Sequence, residues 1–62
     1  MKRRQLLDHL KQHDCVLHRE GAKHPIYINT STGKRTTVPR HAEIDNVTAR
    51  AICKQLGIPP VG

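Results

Sequence analysis

The spacing of apolar residues changes twice along this 62-residue chain. Near each end, apolar residues recur at the three- and four-residue steps of a helix, whereas between residues 15 and 38 they fall in short runs typical of strands. Such a chain must bury the apolar stripes of its helices against one face of a sheet. The helical sets are Leu6, Leu7 and Leu10, and then Ala49, Ile52, Cys53 and Leu56.

Turn and capping residues divide the chain into five predicted elements. Asp45 or Asn46 can cap the last helix, and Gly57 fits the left-handed position that follows a helix. Gly21 and Gly33 mark the two turns between strands, and Gly21 is free to take a positive φ. We predict an α+β fold of order α-β-β-β-α, with a three-stranded antiparallel sheet and both helices on one of its faces. The elements are helix 2–13, strands 15–20, 24–29 and 35–38, and helix 45–56.

The alternation of side chains along the middle strand predicts which face is buried. Ile26 and Ile28 are expected to face the helices and Tyr27 to lie on the open face, which would suit binding. Either Val16 or Leu17 is expected to join the core, together with Val38. The rest of the predicted core is Leu6, Leu7, Leu10, Ala49, Ile52, Cys53 and Leu56.

Size and charge limit the possible functions. Residues 1–62 accommodate one domain with a small core, which excludes two-domain enzymes and doubly wound nucleotide-binding folds. Eleven Lys and Arg against five Asp and Glu give a net charge of +6, and such a chain attracts polyanions. No apolar run approaches the roughly 20 residues of a membrane span, so we expect a cytoplasmic protein. Cys15 and Cys53 are expected to be buried thiols in a reducing compartment.

Two histidines lie where a phosphodiester could be bound. His24 follows a turn and precedes Pro25, which favours extended backbone, and Lys23 beside it supplies a positive charge. Histidine exchanges protons near neutral pH, although an ordinary exposed turn histidine is the alternative interpretation. Arg40 and His41 occupy the loop before the last helix, where a phosphate contact is plausible and a solvated loop is the alternative.

Metal binding has weak support in the sequence. His9 and His13 are four residues apart on the first predicted helix, a spacing that can hold a metal. Asp8, Asp14 or Cys15 could serve as a third ligand, but the pair lacks the H-E-x-x-H pattern and flanks the apolar stripe, so a structural role is the preferred interpretation. We therefore expect neither a metal nor another cofactor.

The order of these segments resembles the HicA toxin family. The resemblance rests on residues 19–24, a strand with a glycine-bearing hairpin, residues 36–41, and the ending formed by 43–44 and 48–58. It covers nearly the whole chain. It implies a fold similar to double-stranded-RNA-binding domains, and an mRNA interferase that inhibits translation as the toxin of a type II toxin–antitoxin pair. A HicB-like antitoxin would cover its active site.

The family's functional histidine stands in a Gly-x-x-His motif, which matches Gly21 and His24 here, with Ala22 where serine is commoner. The resemblance thus indicates His24 as the catalytic residue of a metal-independent endoribonuclease acting on mRNA. His24 would act as general base or general acid, and nearby cations would bind RNA phosphates in a salt-dependent way. The RNA-binding candidates are Arg19, Lys23, Lys34, Arg35, Arg40 and His41.

Two other functions fit the same residues. A non-catalytic RNA-binding module would keep RNA affinity without His24-dependent cleavage. A basic protein–protein module would meet an acidic partner and show no RNA affinity at moderate salt.

Overall fold

A computed structural model describes residues 1–21 and 23–61 of the chain. It confirms the predicted order of elements, and each boundary lies within one residue of the prediction. Ala22, within the predicted turn, lies outside the described residues. The elements are α1 (Arg3–Gln12), β1 (Cys15–Glu20), β2 (Pro25–Asn29), β3 (Arg35–Thr37) and α2 (Asn46–Leu56).

The three strands form an antiparallel sheet in the order β1-β2-β3. Val16 lies opposite Ile28, which in turn lies opposite Arg35. Between Leu17 and Arg19 the register shifts, so that His18 is an extra residue in β1. Such a bulge bends its strand and increases the local twist.

Both helices pack on one face of the sheet, as predicted. A single cluster joins buried residues from α1, α2 and the sheet, and Cys15 and Cys53 belong to it as free thiols. This two-layer arrangement confirms the α+β class and is consistent with a double-stranded-RNA-binding-domain-like fold. The buried apolar residues are Leu6, Leu10, Cys15, Val38, Ile44, Ala49, Ile52, Cys53 and Leu56.

The predicted orientation of β2 is wrong. Pro25 and Asn29 are buried and Tyr27 packs against the core, so Ile26 and Ile28 lie on the opposite face, where they are half-buried. Apolar side chains occur at both the odd and the even positions of this strand, so alternation alone does not show which set faces the core.

The remainder of the predicted core is mostly confirmed. Leu7 packs against the core but is only half-buried. Neither Val16 nor Leu17 is buried, since they are 45% and 46% exposed. Ile44 was missed because it lies outside any periodic segment, in the connection before α2.

Asn29 explains why the odd-numbered residues of β2 face inward. Its Nδ2 donates to the carbonyl of Leu56 at 2.8 Å, and its Oδ1 accepts from the backbone N–H of Ser31 at 2.9 Å. Leu56 is the last residue of α2, where carbonyl groups have no partner within the helix. The inward amide therefore joins the β2–β3 turn to the end of α2.

Replacing Asn29 by Ala should lower the free energy of unfolding by about 1–3 kcal/mol, because a buried carbonyl loses its donor. Urea denaturation followed by circular dichroism measures this loss. Thr32→Ala is the matched control, since the Thr32 hydroxyl contacts the same turn while exposed to solvent. Equal losses in the two variants would contradict this role of Asn29.

The ends of the helices are defined by the backbone around them. Asp45 occupies the N-cap position of α2, as predicted, but its side chain makes no capping hydrogen bond. Gly57 has φ 72°, and Ile58 N–H donates to Cys53 O at 3.0 Å, which closes the helix as expected. Neither α1 nor α2 is long and apolar enough to cross a bilayer.

Candidate active site

One end of the sheet gathers the residues singled out around His24. The β1–β2 turn lies at this end, and so does the segment that leaves β3. The backbone N–H of Val38 donates to the carbonyl of Pro25 at 3.1 Å. This bond continues the β2–β3 ladder by one step beyond Thr37 and brings residues 38–41 alongside the turn. We call residues 20–21, 23–25 and 38–41 the His24 end.

His24 is exposed and is held through its backbone. Its carbonyl accepts a hydrogen bond from the N–H of Gly21 at 3.1 Å, which closes the hairpin next to the Glu20–Pro25 pair. Pro25, the next residue, is buried beneath the helices. The main chain that follows His24 is therefore held by Gly21 and by buried Pro25, while His24 itself is exposed to solvent.

Gly21 is required by close approach rather than by a left-handed backbone. A Cβ atom at position 21 would lie 2.4 Å from the carbonyl oxygen of His24. From the sequence we expected Gly21 to be free to take a positive φ, but its φ is not positive. The Gly-x-x-His spacing thus has a physical basis, because only glycine lets these two backbone segments meet.

Gly21→Ala should displace His24 and lower the RNA cleavage that the family resemblance implies by about 10²-fold, the cost of a misplacement of about 1 Å. Gly33→Ala is the control. Gly33 has φ 80° and lies in the β2–β3 turn at the other end of the sheet, so that variant should lose stability but retain cleavage. Cleavage time courses and thermal unfolding of both variants test the difference. Unchanged cleavage in folded Gly21→Ala would contradict the positioning role.

Arg40 is oriented by an ion pair that the sequence did not indicate. Its Nη2 contacts Oε2 of Glu20, the last residue of β1. The preceding residue, Pro39, accepts a hydrogen bond from Nε of Arg3 at 2.8 Å. Arg40 is thus tied to the hairpin that carries His24, and about half of its side chain stays exposed. The signal available in the sequence was the carboxylate of Glu20 next to the glycine turn.

The N-terminal chain supports the same segment. Arg3 N–H donates to Ala42 O at 2.8 Å, and Ile44 N–H donates to Met1 O at 2.8 Å. The terminal amine of Met1 donates a hydrogen bond to the carbonyl of Ile44 at 2.8 Å. Residues 1–3 and 42–44 therefore run side by side, and His41 follows Arg40 as an exposed residue between two anchored points.

The structure divides the predicted RNA-binding residues into two groups. Lys23 and Arg40 belong to the His24 end, together with His41, and Arg19 lies in β1 directly before Glu20. Lys34 and Arg35 are at the other end of the sheet, about 15 Å away by the rise of a strand. Lys34 lies against Gly57 at the end of α2, where a cation also meets the negative end of the helix dipole.

Cys15 offers no nucleophile to this site. Burial raises the pKa of the Cys15 thiol, and the neighbouring Asp14 and Cys53 raise it further. The thiol therefore stays protonated at neutral pH, and the thiolate is the reactive form.

The histidine pair on α1 has a structural role. The Nε2–H of His9 donates to the carbonyl of Pro59 at 2.7 Å and holds the C-terminal segment. The His9 and His13 rings lie 4.6 Å apart in a tilted arrangement. Within residues 1–21 and 23–61, no three His, Cys, Asp or Glu side chains are grouped so as to hold a metal ion.

Comparison with known proteins identifies one family. A family model described as "HicA toxin of bacterial toxin-antitoxin" matches residues 3–58. No curated protein and no solved structure gives a significant match. The matched range includes both helices, all three strands and the His24 end.

Proposed function

This chain belongs to the HicA toxin family of bacterial toxin–antitoxin systems, and from that membership we propose that it is an mRNA interferase. It would cleave mRNA by metal-independent chemistry, inhibit translation, and be neutralised by a HicB-like antitoxin.

One observation carries the proposal. His24 is exposed, and the backbone that follows it is held by the Gly21–His24 hydrogen bond and by buried Pro25. Two cations, Lys23 and Arg40, belong to the same end of the sheet. A general acid or base at the same end of the sheet as positive side chains suits cleavage of a phosphodiester.

The proposed reaction uses the RNA's own 2′-hydroxyl as the nucleophile. His24 removes the proton of that hydroxyl, and the oxygen attacks the adjacent phosphorus. The bond from phosphorus to the 5′-oxygen of the next nucleotide breaks, and that oxygen receives a proton. The products are a 2′,3′-cyclic phosphate and a 5′-hydroxyl end.

Positive side chains would stabilise the charge that develops on the phosphorus-bound oxygens. Lys23 neighbours His24 in sequence, and Arg40 is aimed at the hairpin by Glu20. One histidine does not readily act as both base and acid in a single step, so a second proton carrier is needed. His41, next to Arg40, is the candidate for protonating the leaving oxygen.

RNA would be bound mainly through its phosphates and 2′-hydroxyls. Tyr27, expected from the sequence on the open face, packs against the core instead. Because Tyr27 is the chain's one aromatic residue other than histidine, little stacking with bases is available. Weak sequence preference and strong salt dependence should follow.

The direct test is incubation of the purified protein with a defined RNA in EDTA, followed by analysis of the new ends. Cleavage that leaves cyclic phosphate and 5′-hydroxyl ends supports the proposal. RNA binding without cleavage would favour the non-catalytic RNA-binding module. Absence of RNA affinity at moderate salt would favour the basic protein–protein module.

A further inference from the structure

The sheet face opposite the helices has an unusual composition. Val16, Ile28 and Arg35 form one row across the three strands, and Ile26 lies opposite Arg19 on one side and Thr37 on the other. His18 joins this face, because Arg35 Nη1 donates to His18 Nε2 at 3.4 Å. We call these residues the open sheet face: Val16, His18, Arg19, Ile26, Ile28, Arg35 and Thr37.

Aliphatic side chains form the centre of the open sheet face. The solvent side of an antiparallel sheet ordinarily carries polar residues. Here Val16 is 45% exposed, and Ile26 and Ile28 are only half-buried. A group of partly exposed β-branched residues on a sheet is typical of a surface that a partner covers.

The charges around this apolar centre have one sign. Arg19 and Arg35 lie on opposite edge strands, and both are exposed. The acidic residues are found elsewhere: Asp8 on α1, Asp14 in the α1–β1 turn, Glu43 and Asp45 before α2, and Glu20 bound to Arg40. An apolar centre with an arginine rim is the composition of a protein interface, and the missing acidic charge must come from the partner.

The apolar centre favours a protein over RNA as the occupant. Valine and isoleucine side chains have no charge or hydrogen-bonding group for the phosphates and 2′-hydroxyls through which RNA would be bound, and no flat ring on which a base can stack. Self-association would bring together two chains that each carry a charge of +6. An acidic partner is attracted by that same charge.

We propose that the open sheet face is the docking surface for the antitoxin, through an apolar patch on the antitoxin that is bordered by Asp and Glu. Aliphatic contacts to Ile26 and Ile28 provide the buried centre, and Arg19 and Arg35 pair with the acidic border. The inference rests on the antitoxin partner of the proposed function, and it does not depend on RNA cleavage.

The first test is the affinity of the purified cognate antitoxin for Ile28→Lys, measured by isothermal titration calorimetry. A lysine in the apolar centre should lower affinity by at least about 30-fold, the loss expected at a central interface residue. Val47→Lys is the matched control, since Val47 is 65% exposed at the start of α2. It should bind within about twofold of the original chain. Equal affinities for both variants would overturn the proposal.

Two charge-reversal variants test the same surface without relying on the folding of Ile28→Lys. Arg35→Glu and Arg50→Glu lower the net charge equally, and both arginines are exposed. Arg35→Glu should weaken antitoxin binding at least tenfold more than Arg50→Glu. Equal weakening would show attraction by net charge alone and would overturn the proposal.

Hydrogen exchange of the original chain gives a third measurement, independent of substitutions. Antitoxin binding should protect peptides covering β1, β2 and β3 more than peptides covering α2. Because the readouts are affinity and protection, an inactive nuclease would leave this test intact.

Loss of RNA binding with unchanged antitoxin binding in Arg35→Glu would instead mark the face as an RNA surface. Protection of the strand peptides that rises with protein concentration in the absence of antitoxin would indicate self-association. Either result would overturn the proposal.

Discussion

His24→Ala should lower the rate of RNA cleavage by about 10²–10⁴-fold, the usual contribution of general acid–base catalysis. The substitution removes the proposed proton-transferring group from an exposed position and leaves the Gly21–His24 backbone bond in place. The fold should therefore survive with an unchanged thermal midpoint. Single-turnover cleavage of a labelled RNA, with excess protein, measures the chemical step directly.

Two controls separate catalysis from binding. His13→Ala removes another histidine, at the end of α1 away from the His24 end, and should retain cleavage within a few-fold. Affinity for an RNA whose riboses are 2′-O-methylated should change little in His24→Ala, because phosphate contacts dominate binding. Persistent cleavage in a folded His24→Ala variant would show that another group carries the proton transfer.

Leu10→Ala should lower the free energy of unfolding by about 2–5 kcal/mol. Leu10 is completely buried in the cluster that joins α1, α2 and the sheet, and truncation leaves a cavity that this small core fills poorly. A domain of 62 residues has a total stability of about 3–9 kcal/mol at the usual stability per residue. The variant should thus be partly unfolded near 37 °C, as urea and thermal denaturation will reveal.

Leu7→Ala provides the matched comparison for Leu10. It makes the same substitution one turn earlier on α1, at a side chain that is only half-buried. The loss of stability should be less than half of that for Leu10→Ala. Similar losses at the two positions would mean that the packing of α1 differs from the one described.

The candidate site was predictable only in part. His24 and Lys23 lie next to each other in the chain, and the Gly-x-x-His motif marks them without any tertiary information. The link to Arg40 depends on its ion pair with Glu20, 20 residues away in the chain, and on the Val38–Pro25 hydrogen bond, which spans 13 residues (38 − 25). Lys34 and Arg35 are close to Arg40 in sequence, but β3 runs from one end of the sheet to the other between them. They therefore lie at the far end of the sheet from Arg40.

The physical role of Gly21 also needed the structure. A glycine before a short turn suggests a left-handed backbone, and that was the expectation from the sequence. The constraint is instead steric, because any side chain at position 21 would collide with the His24 carbonyl. Close approach between two backbones is a property of the folded hairpin and leaves no separate mark on the sequence.

The sequence by itself determined the elements, their order and their ends. Helical periodicity, the glycine after α2 and the short turns are local properties, and local properties are encoded within a few neighbouring residues. The orientation of β2 was decided by tertiary structure. A one-residue change of parity exchanges the two faces of a strand, and residues 25–29 have apolar side chains for either face. The buried bond from Asn29 to the end of α2 selects one of them, and it thereby turns Ile26 and Ile28 outward onto the open sheet face.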